Sequence, residues 1–559
     1  MKGASDIAKS GIGFPAERLV ERICCTIALL VLVGTFAVRF SLFQTRWLNP
    51  DEFEHLHAAW CQSEGLVPYR DFFEHHTPWF YWLLLPLVKG AHEGPDMAVR
   101  SVLLARGLCV VLTATALGAV VCIGVLWGRS GASRPQTTEE PRAFPQRVAA
   151  SGVLAGLVAA TLLAGMPMFL DKSMEIRPDV PAVLLWACAL AFLARGIRDY
   201  EQGESLGMSF VVSGLCLGGA IMCTQKLLFA VPGFVLGGLL WVLFGGADEE
   251  RARRLRCAAL SAAAGLIPPL LTWAWFAAHR AGYVFVYNNF LLNARWRSAE
   301  PPEPLLARLA ESSWPVLLLA WGGVVVLCLN FIRRKAYDWF GVVLLGSLTS
   351  FLLGLLVIPV AFAQYFLPIL PLVALFAGRF TVFLAHQVPN LARPVYIGLV
   401  LVLVQATPVS YALGCRHWRN DGQIAALQFV LANTTPNDMV MDGWRGMGVF
   451  RPHAWYYYFL HPEVRGMLPP AELAVFLSRL ESGEVKPKLI VMDNNLRLLS
   501  DRLVAFVERQ YEVAGGDMWL RKADVSAEPQ LGEPAAVASG LSAANEKGRA
   551  SVVEESFKR

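Results

Sequence analysis

Apolar runs about twenty residues long recur throughout this sequence, separated by short polar stretches. A helix needs roughly twenty such residues to cross the hydrocarbon core of a bilayer, because it rises only about 1.5 Å per residue. On that rule spans are expected near 23–43, 98–127, 148–167, 179–197, 207–223, 227–246, 257–278, 313–332, 338–358, 364–384 and 394–414. The expected fold class is an α-helical polytopic membrane protein of about 11 transmembrane helices. Charge content agrees: 17% of the residues are charged, against about a quarter in soluble domains. The first run is too long for a signal-peptide core and lacks a small-residue cleavage site, so it reads as a span. Lys226 and the preceding Cys-Thr-Gln divide 207–246 into two spans.

Basic residues set the orientation. Arg18 and Arg22, Arg129 to Arg147, Arg195 and Arg198, Arg251 to Arg256, Arg333 to Lys335, and Arg393 fall in every second loop. Such loops face the cytoplasm, which places the N-terminus there and the segment after 414 on the far side. That segment changes character. Helical spacing at 423–434, 470–482 and 498–510 alternates with short strands at 439–444 and 488–493. A hairpin signal follows around Gly515-Gly516. The expected organisation is therefore a membrane domain over 1–414, a small C-terminal α/β domain outside the membrane over 415–522, and a disordered tail over 523–559. A net charge of +5 without a polybasic block argues against nucleic acid. Most of the 11 cysteines lie in apolar runs and no C-x-x-C occurs, so they read as small hydrophobes. The lack of an internal repeat weighs against inverted-repeat transporters.

Chemistry concentrates in residues 44–82. Asp51, Glu52, Glu54, His55, His57, Arg70, Glu74, His75 and His76 are interleaved there with Trp47, Trp60, Tyr69, Trp79 and Tyr81, a mixture suited to a membrane–water interface. Asp51 and His55 are four residues apart and share a helix face. A carboxylate beside cations at that depth can stay ionised and accept a proton. The plainer reading is a solvated amphipathic helix lying on the membrane. The Asp/Glu/His spacing permits a divalent metal, although no H-x-x-x-H or closed ligand set identifies one.

A second cluster, Asp171, Lys172, Glu175, Arg177 and Asp179, precedes the span at 179–197 on the same side. Helix N-terminal charge accounts for part of it. Lys226, Arg295 and Arg297 are outer cations suited either to a bound phosphate or to lipid headgroups. Tyr365 opens the run at 364–384, where Pro368 and Pro371 would kink the helix.

These residues, taken together, resemble a family. Asp51-Glu52 just after the first span, GLVPYRDF at 65–72, Thr77-Pro78-Trp79, EIRPD at 175–179, the isolated Lys226 and Tyr365-x-x-Pro368 follow one another as in the polytopic GT-C glycosyltransferases. The likeness is to the protein mannosyltransferase and aminoarabinose transferase branch, and it covers roughly residues 20–522. One departure is Gln364, where many relatives carry an arginine expected to contact lipid phosphate.

The resemblance implies a transferase of the bacterial inner (plasma) membrane with its C-terminal domain in the periplasm. Its donor would be a polyprenyl-phosphate sugar and its acceptor an envelope lipid, glycan or protein, with inversion at the anomeric carbon. Asp51 would be the base, while Glu52 and Asp179 would orient acceptor and sugar. Lys226, with Arg295 or Arg297, would stabilise the leaving phosphate. His55, Arg70, Arg177 and Tyr365 would complete the binding set. No cofactor is implied with certainty. The other function classes to be weighed are a flippase for lipid-linked sugars and a non-catalytic assembly subunit. A flippase predicts acids within the spans, whereas here they cluster in two outer loops.

Overall fold

The computed structural model describes residues 14–130, 151–204, 207–295, 305–333, 337–357, 362–415 and 417–522. Arg297 and the segment expected to form a disordered tail lie outside them. The chain is a multi-pass membrane protein. Its helices are α1 (Phe14–Leu42), α2 (Pro50–Ser63), α3 (Trp79–Val88), α4 (Pro95–Ser130), α5 (Gly152–Gly165), α6 (Pro167–Lys172), α7 (Asp179–Glu201), α8 (Gly207–Cys223), α9 (Val231–Phe244) and α10 (Arg251–Ala278). They continue with α11 (Leu305–Ile332), α12 (Trp339–Leu355), α13 (Leu370–Ala385) and α14 (Arg393–Cys415).

Every expected span coincides with a helix. Six of them, within α1, α4, α7, α10, α11 and α14, are long and apolar enough to cross a membrane. The remaining five coincide with apolar helices of 10–17 residues, short of the twenty needed to cross unaided. A 3-10 turn over Gln225–Phe229 separates α8 from α9. Two details differ from expectation. Helix α3 is an additional short apolar helix inside the charged stretch. Tyr365 lies in a separate 3-10 turn, Ala363–Phe366, and Pro371 occupies the first turn of α13. A proline in a first turn starts a helix without kinking it, because its missing N–H has no intrahelical partner there anyway.

Small residues bring the helices close. A Cβ on Gly214 or Gly218 of α8 would overlap the carbonyls of Ser261 and Gly265 on α10, the close backbone approach that membrane helices use where no hydrophobic drive separates them from lipid.

Helix α2 begins as its sequence dictates. The Asn49 side chain accepts from Asp51 N–H at 3.1 Å, Pro50 takes the first position, and Glu52 reaches back to Asn49 N–H at 2.8 Å. This is a reciprocal capping box. The helix is not a solvated surface helix. Residues 52–61 are buried, because the C-terminal unit covers them. Phe53, Leu56 and Trp60 share one core with Leu427, Val430, Met447, Phe450 and Leu489.

That unit adds helix α15 (Asp421–Ala432), strand β1 (Val440–Asp442), helix α16 (Pro470–Glu481), strand β2 (Leu489–Val491), helix α17 (Asp501–Gln510) and strands β3 (Tyr511–Gly515) and β4 (Met518–Arg521). The sheet order is β1-β2-β4-β3, with β1 and β2 parallel and the other pairs antiparallel. Strands β3 and β4 meet at Gly515-Gly516, where both residues have positive φ.

The seam between α2 and this unit makes a prediction. Gly446 has φ 77° and a Cβ there would overlap the Phe53 side chain. Gly446→Val is expected to destabilise the docked unit by about 2 kcal/mol or more, combining left-handed strain with overpacking. Limited proteolysis of membranes carrying the variant should show earlier cleavage after residue 415. A cleavage rate equal to wild type would mean that the seam tolerates the side chain.

Candidate active site

The charges of both outer loops meet in one place. Asp51 projects from the first turn of α2, and Arg177 and Asp179 come from the turn that starts α7. Arg177 Nη1 lies 3.0 Å from Asp51 Oδ2 and 2.7 Å from Glu175 Oε2, and Arg177 Nε lies 3.7 Å from Asp179 Oδ2. Asp179 Oδ1 accepts from Lys226 Nζ at 2.9 Å, and that ammonium rests 4.7 Å above the Tyr365 ring. The result is one chain, Asp51–Arg177–Asp179–Lys226–Tyr365, drawn from four segments.

Exposure distinguishes its members. The Asp51 side chain is 23% exposed, while Arg177 and Asp179 are 3% and 1% exposed. Of these three, Asp51 is therefore the one that an incoming molecule can reach. Burial alone would raise its carboxyl. The Arg177 guanidinium, then His461 and Lys172, outweigh that effect and hold it below the ordinary range. Lys226 moves the other way, because burial lowers its ammonium more than Asp179 restores it.

Glu52 and His55 turn away from this chain. Glu52 is fully buried and its oxygens are all engaged. Oε1 accepts from Asn49 N–H and Arg106 Nη2, and Oε2 accepts from Arg106 Nε and Ile176 N–H, all within 3.0 Å. The expected role of orienting a substrate gives way to one of positioning α2, since no lone pair remains free to face a pocket. Arg106 also donates to the carbonyls of Phe43, Arg46 and Trp47, which leave α1 without helical partners. His55 is buried against Tyr81, Phe80 and His76.

Two expected cations lie apart from the chain. Arg70 is 42% exposed, pairs with its neighbour Asp71 at 2.8 Å, and donates to the carbonyl of His279. Arg295 is exposed at the end of a short helix, Asn293–Arg295.

Two neighbours of the site, Arg106 and His461, were not singled out from sequence. Arg106 could have been, since a charge inside an apolar span is costly and marks a partner. Arg46 pairs with Asp171 and with Glu175, and Lys172 lies 2.8 Å from Glu175. His461 of the C-terminal unit, held by Glu463 at 2.9 Å, adds to the positive charge that lowers the Asp51 carboxyl. No local pattern announces it.

Residues 151–275, which contain Arg177, Asp179 and Lys226, match the family model described as dolichyl-phosphate-mannose-protein mannosyltransferase. No curated protein matches the chain. Among solved structures, ArnT from Cupriavidus metallidurans bound to undecaprenyl phosphate is similar in fold, with a TM-score of 0.55 at 14% identity over 90% of this chain and 99% of that one. The apo state of the same protein gives 0.54 at 15% identity over the same shares. The fold is that of the GT-C membrane glycosyltransferases, and the resemblance to the mannosyltransferase and aminoarabinose transferase branch is borne out.

Proposed function

We propose that this protein transfers a sugar from a polyprenyl-phosphate donor to a hydroxyl or amine of an envelope lipid, glycan or protein, with inversion, on the outer face of a bacterial inner membrane. The observation that carries this reading is the chain from Asp51 to Lys226. It sets an accessible, ionised carboxylate at one end and a buried ammonium at the other, with a guanidinium between them. A polyprenyl-phosphate donor needs this combination beside apolar helices. The sugar's anomeric carbon lies between the group that must lose a proton and the phosphate that must gain charge.

Asp51 takes the proton of the acceptor as its oxygen or nitrogen attacks the anomeric carbon. The bond from that carbon to the phosphate oxygen breaks, and its electron pair leaves with the phosphate. A single-displacement attack inverts the centre, and its transition state resembles an oxocarbenium ion. Arg177 keeps Asp51 ionised, and its buried Nε, which lacks a hydrogen-bond partner, is a donor available to sugar or phosphate. Lys226 faces the developing phosphate charge, while Asp179 and the Tyr365 ring fix its position.

Lys226→Gln is expected to lower turnover about 100-fold, in line with losing one transition-state cation, and to weaken retention of polyprenyl phosphate in nanodiscs. Unchanged retention and turnover would remove Lys226 from the site. The function itself is tested by incubating the nanodisc-embedded protein with polyprenyl-phosphate sugars labelled in the sugar, together with an envelope extract. Label passing into the extract with inverted anomeric configuration is the expected result. Label that crosses the bilayer still attached to its lipid would favour the flippase reading.

A further inference from the structure

Along the first half of α4 a groove of about 610 Å3 opens between the end of α1 and helix α15 of the C-terminal unit. The transfer chemistry leaves it unused. Arg106, on the buried side of the same helix, meets Glu52, so α4 separates the groove from the network that holds α2. Gln44, Asp96, Arg100 and Gln428 line the polar end of the groove, and Leu103, Gly107 and Val111 line the apolar end. We propose that this groove binds one glycerophospholipid with a primary-ammonium headgroup, the phosphatidylethanolamine class, drawn from the surrounding leaflet.

Three observations support such an occupant. First, the groove has the vertical order of a phospholipid. Helix α4 is long and apolar enough to cross the membrane, and its span starts at Pro95. Asp96 and Arg100 therefore sit at headgroup depth, where basic side chains reach lipid phosphate. From Arg100 to Val111 the helix descends about 16 Å, roughly the hydrocarbon depth of one leaflet. Second, the polar end is unused. Asp96 and Arg100 are exposed, and four residues apart they share a helix face. Among the described residues neither belongs to an ion pair, and the Gln44 and Gln428 side chains make no hydrogen bond. Third, Gly107 keeps the apolar end open. A Cβ there would meet only the Phe43 ring, at 3.8 Å, so a larger side chain would fill the groove without disturbing the backbone.

The charges select the headgroup. The Arg100 guanidinium matches a phosphate through two parallel N–H donors. Asp96, one turn nearer the water, accepts from an ammonium that reaches past that phosphate. A choline headgroup carries a quaternary nitrogen with no N–H to donate. A glycerol headgroup brings no cation, and the Asp96 carboxylate repels its net negative charge. Seated there, the lipid touches α1, α4 and α15 together and fastens the C-terminal unit to the membrane domain. The inference rests on this groove alone and stands whether or not the chain transfers a sugar.

The test uses the full chain, delipidated in detergent and titrated with phosphatidylethanolamine, phosphatidylcholine or phosphatidylglycerol of identical acyl chains. Native mass spectrometry counts the bound lipid, and Tm is followed in parallel. Expected are one retained phosphatidylethanolamine per chain, held about 10-fold or more tightly than the other two, and a rise in Tm. Arg100→Gln should weaken that retention about 10-fold, the loss of one charge-assisted contact. Asp96→Asn should bring phosphatidylglycerol up to equal phosphatidylethanolamine. Gly107→Leu should abolish selective retention, while Arg280→Gln, at an exposed arginine elsewhere, leaves it unchanged. Equal retention of the three lipids by wild type identifies an unselective lipid-facing surface and overturns the proposal, even should a variant fail to fold. So does phosphatidylethanolamine bound as tightly by Arg100→Gln as by wild type, or a second copy of the chain seated in the groove in place of lipid.

Discussion

Asp51→Asn is expected to abolish measurable transfer, with a loss of about 1,000-fold or more, while the protein still folds and still holds its lipid donor. The magnitude follows from removing a general base, which is worth roughly 100- to 10,000-fold. Folding should survive because Asn keeps the side-chain shape and a hydrogen-bond acceptor for Arg177, which retains Glu175 as a partner at 2.7 Å. The pH profile offers a second reading. Arg177 and its neighbours hold the Asp51 carboxyl below the ordinary range, so its charged form is favoured in the fold. The activity it supports, and the stability it contributes, are therefore complete above the ordinary aspartate value of about 3.9 and are lost only as pH falls below it. Rates measured from pH 4 to 8 should show no acidic limb assignable to this group. Full activity in Asp51→Asn would mean that another residue is the base.

The second large effect concerns stability. Glu52 and Arg106 are both 0% exposed and lie 2.6 Å apart. Glu52→Ala leaves a guanidinium buried without its counter-charge, which costs about 3–5 kcal/mol. Arg106→Ala adds the loss of hydrogen bonds to the carbonyls of Phe43, Arg46 and Trp47. Replacing both residues with leucine should therefore not restore stability, unlike a simple buried pair, because those carbonyls stay unsatisfied. Thermal unfolding in detergent decides the matter. Each single change should lower Tm by several degrees and the double change should not recover it. Tm values equal to wild type would show that the network does not hold α2.

These two predictions separate what the sequence reveals from what it conceals. Local signals were legible. Asn49-Pro50-Asp51-Glu52 announces a capped helix start, the apolar runs locate the long helices, and Gly515-Gly516 marks the hairpin. Asp179 and Lys226 were recognisable as charges out of place among apolar neighbours. Their pairing was not, because it joins residues 47 apart through the packing of α7 against the turn after α8. The same holds for Asp51 with Arg177, 126 residues apart, and for His461, whose charge influences Asp51 from the C-terminal unit that packs on α2. Arg70 shows the opposite failure. Its motif drew attention to it, but a carboxylate next in sequence and the carbonyl of His279 already occupy its guanidinium. Glu52 was expected to orient a substrate because the family resemblance implied it. Successive helical residues point about 100° apart, so the neighbour of an accessible carboxylate turned inward to meet Arg106.

Release of polyprenyl phosphate by the purified protein tests the central claim most directly. Wild type and Asp51→Asn would be reconstituted in nanodiscs and offered a panel of polyprenyl-phosphate hexoses and pentoses with envelope extract as acceptor. Release by wild type with at least one donor, and its loss in Asp51→Asn with donor binding intact, is the predicted result and would also name the sugar. No release from any donor by a wild-type protein that binds them would contradict the account.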